Sequence, residues 1–274
     1  MNSRKLGFSI LMFIPLFVAG QTSVQYNSAE IKLGLQKLNV LGSALYIAAH
    51  PDDAELGCGA TIAKHVQMGK KVGIVDLTKG ELGTRGTVEI RAKEAADAAK
   101  ILGIAVRENL GLPDGYFSNT PDAQRTIIEV VRKYQPEIVL ANAIQDRHPD
   151  HGRGAKLVSD ACFYAGLRKI ETSIDGVRQD AYRPKTVFHY IQDRYLEPDF
   201  VIDITAHWDQ KEAAIRAFKS QFFDPNSAEP ASYISSPDFL NFIQARAMEM
   251  GHKIGVKYGE GFQSQKTLEK KILD

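Results

Sequence analysis

Residues 45–61, Leu-Tyr-Ile-Ala-Ala-His-Pro-Asp-Asp-Ala-Glu-Leu-Gly-Cys-Gly-Ala-Thr, limit what this chain can fold into more than any other stretch. An apolar, β-favouring run ends in one imidazole and three carboxylates, His50, Asp52, Asp53 and Glu55. The run reads as a buried strand. Pro51 keeps His50 out of the helical region, on extended backbone just past the strand end. Ionisable groups crowded at such a place are costly unless positive charge sits among them. A divalent cation would supply it.

One His, a nearby carboxylate and an open position suit catalytic zinc, which takes three protein ligands and leaves a fourth place to water. A third ligand must come from elsewhere. The other stretch where His and Asp crowd together is Arg147-His148-Pro149-Asp150-His151. Three of the seven histidines fall in these two clusters, while His65, His189, His207 and His252 stand apart. Cys58 and Cys162 form neither a disulfide framework nor a Cys-x-x-Cys pair and read as buried small hydrophobes.

Strands are expected at 45–49, 71–78, 108–112, 137–141, 186–191 and 200–204. Helices are expected near 54–68, 88–102, 123–134, 150–167, 208–222 and 237–250. The glycines Gly57 and Gly59 early in the first helix suggest close approach of backbone to sheet or ligand. The alternation predicts an α/β fold, a Rossmann-like three-layer α/β/α arrangement around a mostly parallel sheet. Ligands bind such sheets outside the carboxyl ends of strands. In the common order 3-2-1-4-5 the first and fourth strands are neighbours, so the two clusters would meet.

A chain of 274 residues with 44% hydrophobic content can bury one large domain. The formal charge of +1 and the lack of a basic run argue against a nucleic-acid partner. Residues 6–19 are an apolar run behind Arg4 and Lys5, followed by small residues ahead of Gln21. The run is short for a membrane span and reads as a secretory leader over residues 1–20; an uncleaved anchor or a misassigned start are the alternatives. Cleavage would remove two basic residues and no acid, taking the formal charge from +1 to −1. The expected order is leader 1–20, extension 21–43 with a short helix, and domain 44–274. Export implies a periplasmic location without stable membrane insertion; a misassigned start implies the cytoplasm.

With both clusters intact, the sequence resembles the LmbE-like, or PIG-L, family of zinc-dependent N-deacetylases. Ala-His-Pro-Asp-Asp-Ala-Glu at 49–55 and His-Pro-Asp-His at 148–151 carry the resemblance. Asp76-Leu77-Thr78, Arg91-Ala92-Lys93-Glu94-Ala95, Ser220-Gln221-Phe222 and Tyr258-Gly259-Glu260-Gly261-Phe262 extend it toward the bacillithiol-biosynthesis branch and its chitooligosaccharide-active relatives. The resemblance implies His50, Asp53 and His151 as zinc ligands, Asp52 as general base, and a protonated His148 stabilising the oxyanion. Asp150 is the expected orienter of His148, raising its basicity. Arg91 and Arg183 are expected near an N-acetylated sugar substrate. Glu55 is expected to support the site rather than ligate, and His189 to pack or line the pocket. Bacillithiol chemistry implies N-acetylglucosaminyl malate as substrate. Export implies a chito-oligosaccharide or envelope glycan instead. A sugar-binding protein without catalysis is the alternative from another class. Family members often assemble as trimers or hexamers.

Overall fold

In the computed structural model, residues 43–268 are described. The expected leader and most of the extension lie outside them. β1 (Ala44–Ala48) is apolar throughout and buried along its whole length, as a strand covered on both faces must be. Its alternate side chains feed two separate cores. Ala44, Tyr46 and Ala48 join one; Leu45, Ile47 and Ala49 join the other.

The first core lies under α1 (Asp53–Gln67), α2 (Val88–Leu102), α5 (Trp208–Arg216) and α6 (Phe239–His252). The second lies under α3 (Pro121–Tyr134) and α4 (Pro149–Ala165). Between them runs a sheet ordered β3 (Val106–Leu112), β2 (Val72–Thr78), β1, β4 (Ile138–Ala141), β7 (Thr186–Tyr190), β9 (Gly259–Ser264), β8 (Phe200–Asp203). A separate hairpin pairs β5 (Ser173–Ile174) with β6 (Val177–Arg178). The expected α/β/α layering holds.

β1 pairs in parallel with both β2 and β4, Ala44 facing Val72 and Ile138. The predicted adjacency of the first and fourth strands is therefore observed. β9 was not foreseen; it enters antiparallel between β7 and β8. Its sequence, Gly-Glu-Gly-Phe-Gln-Ser, has little β-branched content, and its slot between two strands does the selecting. No helix among the described residues is long and apolar enough to cross a membrane.

Candidate metal and active site

The strand ends of β1, β4 and β7, with the loop after β3, converge on one pocket. His50 follows β1, Asp53 opens α1, and His151 sits in the first turn of α4. Asp53 bridges the two imidazoles: Oδ2 lies 3.3 Å from His50 Nδ1 and Oδ1 lies 3.0 Å from His151 Nε2. Ligand-to-ligand edges in a tetrahedral site with zinc-like bond lengths are about 3.3 Å. Asp53 thus stands at ligand spacing from each imidazole, through a different oxygen for each. His50, His148 and His151 also offer nitrogens within 4.8 Å of one another, as do donors of His50, Asp114 and Asp150.

Each donor is held from behind. Asp53 Oδ2 accepts from the His50 backbone N–H at 2.9 Å and from Asn142 Nδ2 at 3.0 Å, and Oδ1 accepts from Gln192 Nε2 at 3.0 Å. His151 Nδ1 is paired with Asp146, the carboxylate–histidine contact that fixes a ligand's tautomer. Asp114 and Asp150 face His50 Nε2 at 3.1 and 3.3 Å. Asp114, Asn142, Asp146 and Gln192 escaped the sequence reading. Asn142 and Gln192 directly follow β4 and near-follow β7, so the strand-end rule could have flagged them.

Burial disfavours a charged His50, yet hydrogen bonds to Asp114, Asp150 and Asp53 outweigh it and hold the imidazole well above its ordinary value. Burial likewise opposes charge on His151, but Asp53 and Asp146 lift it to about 9. Burial would raise Asp53, and His151 and His50 overcome that to pull it well below the carboxylate range. Imidazoles made this basic mark a surplus of buried negative charge. A divalent cation satisfies that surplus, and two nitrogens with a carboxylate are donors zinc accepts.

Asp52 behaves differently from its neighbour. It adopts φ 122° and ψ −26° as the residue before α1, without capping the helix through its side chain. A non-glycine residue there carries backbone strain, of a kind that gathers at functional sites. The turn sends the Asp52 carboxylate away from Asp53 and toward Arg91, whose Nη2 lies 3.2 Å from Oδ2. Burial pushes Asp52 up, Arg91 pulls it down and Asp53 pushes it up again, leaving it at about 7.

Three sequence expectations change. The Asp150 carboxylate contacts His50, Gly115 N–H and Arg153 rather than His148. What reaches His148 is the Asp150 backbone N–H, which donates to Nδ1 at 3.2 Å because His148 caps α4 ahead of Pro149. A lone pair at Nδ1 leaves the proton on Nε2. Burial, then the neighbouring His50 and His151, push His148 below its ordinary value against smaller upward pulls from Asp53 and Asp150, so the rise in basicity expected from Asp150 does not prevail. Arg183 lies before β7, at the amino end of the sheet, where it stacks 4.2 Å from the Phe163 ring and donates to Phe163 O. It is exposed and does not line the pocket. Arg91 does line it, but its guanidinium is engaged by Asp52, by Pro51 O at 2.6 Å and by Gly80 O at 3.3 Å.

Glu55 pairs with Arg107, which also binds Asp76. His189 is buried and donates from Nδ1 to Asn142 O at 2.8 Å, supporting the residue that holds Asp53. At the pocket rim Arg147 lies 2.7 Å from Asp193 and 4.1 Å from the Tyr233 ring.

Residues 45–162 match the PIG-L family, described as GlcNAc-PI de-N-acetylase. A diacetylchitobiose deacetylase of Thermococcus kodakarensis is 29% identical over 83% of this chain and 85% of its own length. A 4-oxalmesaconate hydratase of Pseudomonas putida is 30% identical over 65% of this chain and 74% of its own. Among solved structures, a conserved protein from Thermus thermophilus matches with TM-score 0.74 and 36% identity, over 85% of this chain and 100% of that one. N,N'-diacetylchitobiose deacetylase from Pyrococcus horikoshii matches with TM-score 0.70 and 28% identity, over 89% of this chain and 94% of that one.

Proposed function

We propose, for a chain that belongs to the PIG-L or LmbE-like family, that it is a zinc-dependent hydrolase removing the N-acetyl group of an N-acetylglucosamine derivative. One observation carries this: Asp53 joins His50 and His151 while Asp52, the residue before it, turns its carboxylate toward Arg91 in the pocket. His50, Asp53 and His151 would hold the ion. When bound, zinc supplies Lewis acidity toward the amide carbonyl and lowers the pKa of water.

The chain's own residues do the rest. Asp52, raised by burial and restrained by Arg91, accepts the proton of the attacking water and returns it to the departing sugar amine. His148 donates from Nε2 to the oxygen on which negative charge develops. Asp150 and Asp114 orient His50, and Asp146 orients His151. A hydratase on the same scaffold would release neither acetate nor amine, so those two products separate the readings.

For the substrate, export through a leader at residues 1–20 would bring the enzyme to periplasmic chito-oligosaccharides or envelope glycans, the reading in keeping with the diacetylchitobiose deacetylase relatives. An internal start site places it with N-acetylglucosaminyl malate, the bacillithiol precursor. Acetate release from the two substrate types, with the N-terminal mass of the cellular protein, separates them.

The ligand assignment is tested by metal content. Asp53→Asn is expected to lose the bound zinc. Asp52→Asn keeps about one equivalent while turnover falls by about 10²–10⁴-fold. His148→Gln also keeps the ion. Zinc retained by Asp53→Asn but lost from His148→Gln would move the site to the three imidazoles.

A further inference from the structure

Part of the pocket lining comes from two segments that hold no helix or strand. The 79–87 loop between β2 and α2 brings Leu82 and Gly83. Residues 217–232, between α5 and the short 3-10 turn Tyr233–Ser235, bring Gln221, and the turn itself brings Tyr233 and Ile234. Irregular chain of this length has much conformational freedom to lose when a ligand orders it.

Each segment has its own tie to the body of the domain. Leu82 N–H donates to Asp114 Oδ2 at 3.0 Å, and the Glu94 carboxylate of α2 accepts from Ser220 N–H at 2.7 Å and from Ser220 Oγ at 2.8 Å. Arg85 joins one segment to the other. It is buried, 6% exposed, and all three of its guanidinium nitrogens donate to the second segment: Nε to Ser220 O at 2.8 Å, Nη1 to Pro230 O at 3.1 Å and Nη2 to Ser227 Oγ at 2.9 Å. One fork of donors thus gathers Ser220, Ser227 and Pro230 and fixes the outline of the chain between them. Contacts return from the other side. Gln221 Nε2 donates to Arg85 O at 2.8 Å, and Gly86 N–H donates to the Glu229 carboxylate at 3.1 Å. Gly86 adopts φ 71°, and a Cβ there would stand 2.6 Å from Ser220 Oγ, so the two segments meet with no space for a side chain between them.

Arg85 does not itself line the pocket, so it acts on a substrate through the residues it holds. We infer that Arg85 is a positioning residue for substrate binding, which keeps Leu82 and Gly83 assembled with Gln221, Tyr233 and Ile234 before the sugar arrives. This rests on the amide-hydrolase reading above and names the residue that sets its substrate affinity. With the clamp in place little ordering is left to be done on binding, and affinity is gained by preorganisation. Without it a smaller fraction of molecules is competent to bind, and the apparent affinity falls by that fraction. A bound substrate still meets the same Asp52, His148 and Asp53 cluster, so the chemical step is retained.

The experiment compares zinc-loaded Arg85→Gln with Arg132→Gln in the full chain. Arg132 is a matched control: it is buried and donates to Ala165 O, Leu167 O and Ile170 O around the carboxyl end of α4, and it does not line the pocket. KM and kcat are measured for amine release from N,N'-diacetylchitobiose and N-acetylglucosaminyl malate, and amide hydrogen exchange is followed over residues 79–87 and 217–235. Arg85→Gln is expected to raise KM by at least about fivefold while kcat stays within about threefold, the pattern of lost binding that is uniform between ground and transition state. Exchange is expected to quicken in both segments together, whereas Arg132→Gln moves neither KM nor this exchange. Ser227→Ala combined with Glu229→Gln removes side-chain acceptors from the clamp, is expected to change KM and exchange in the same direction by less, and keeps the test open should Arg85→Gln fold poorly. A smaller rise in KM in folded Arg85→Gln, or an equal rise in Arg132→Gln, overturns the inference. Exchange that quickens in one segment only also overturns it. A wild-type chain that releases no amine from either sugar sinks the amide-hydrolase reading, and the exchange comparison then decides the clamp by itself.

Discussion

At positions 52 and 53 two adjacent carboxylates experience opposite fields. Asp53 is fixed between two imidazoles and stays anionic despite burial. Asp52 has Arg91 as its facing cation, and burial dominates. Neighbouring acids whose surroundings push their pKa values apart are how one site divides binding from proton transfer. Removing the Arg91 charge takes away the pull that lowers Asp52. For a carboxyl group the sign is upward, so the base becomes protonated at higher pH. In zinc-loaded Arg91→Met the acid limb of the kcat/KM profile is expected to move up by about 1–3 pH units. A profile with an unmoved limb contradicts the pairing of Asp52 with Arg91.

The element that carries this pair, α1, is shaped by what it must pass. Its backbone departs from helical geometry at Cys58, where φ is −152°. A Cβ at Gly57 would collide with the Tyr190 ring of β7, so the glycine that looks weak for a helix is what lets α1 lie on the sheet. Beyond the kink, Glu260 of β9 accepts from Thr61 N–H at 2.8 Å and pairs with Lys211 of α5 at 2.7 Å. Both charged side chains are buried. Breaking a buried ion pair from one side leaves an uncompensated charge. Lys211→Met is expected to lower unfolding stability by about 3–5 kcal/mol, and adding Glu260→Gln to recover part of it. Denaturant melts of the single and double variants check this, and a loss below about 1 kcal/mol would mean that the pair does not anchor α1.

Across the whole molecule, what was legible in the sequence is what is local. The apolar run of β1 and the boundaries of α2, predicted at 88–102 and observed at Val88–Leu102, are written in consecutive residues. The meeting of His50 with His151 followed from strand order, a rule about sheets applied to a pattern. Residues that act through tertiary placement were hidden. Gln192 reads as one glutamine among many until β7 brings it to Asp53. The Pro113-Asp114-Gly115 turn gave no sign that its carboxylate would face His50. Arg183 erred the other way: the family resemblance put it near the substrate, yet the sheet direction places it at the opposite end from the pocket.

The central claim is that these converging strand ends cleave the amide of an N-acylated amino sugar. Its most direct test is a product count from zinc-loaded protein incubated with N-acetylglucosaminyl malate, N,N'-diacetylchitobiose and an envelope-glycan fragment. The account predicts acetate and free amine appearing in a one-to-one ratio from at least one of them, and both slowed by about 10²–10⁴-fold in Asp52→Asn. Fully zinc-loaded protein that releases no amine from any of the three would contradict it.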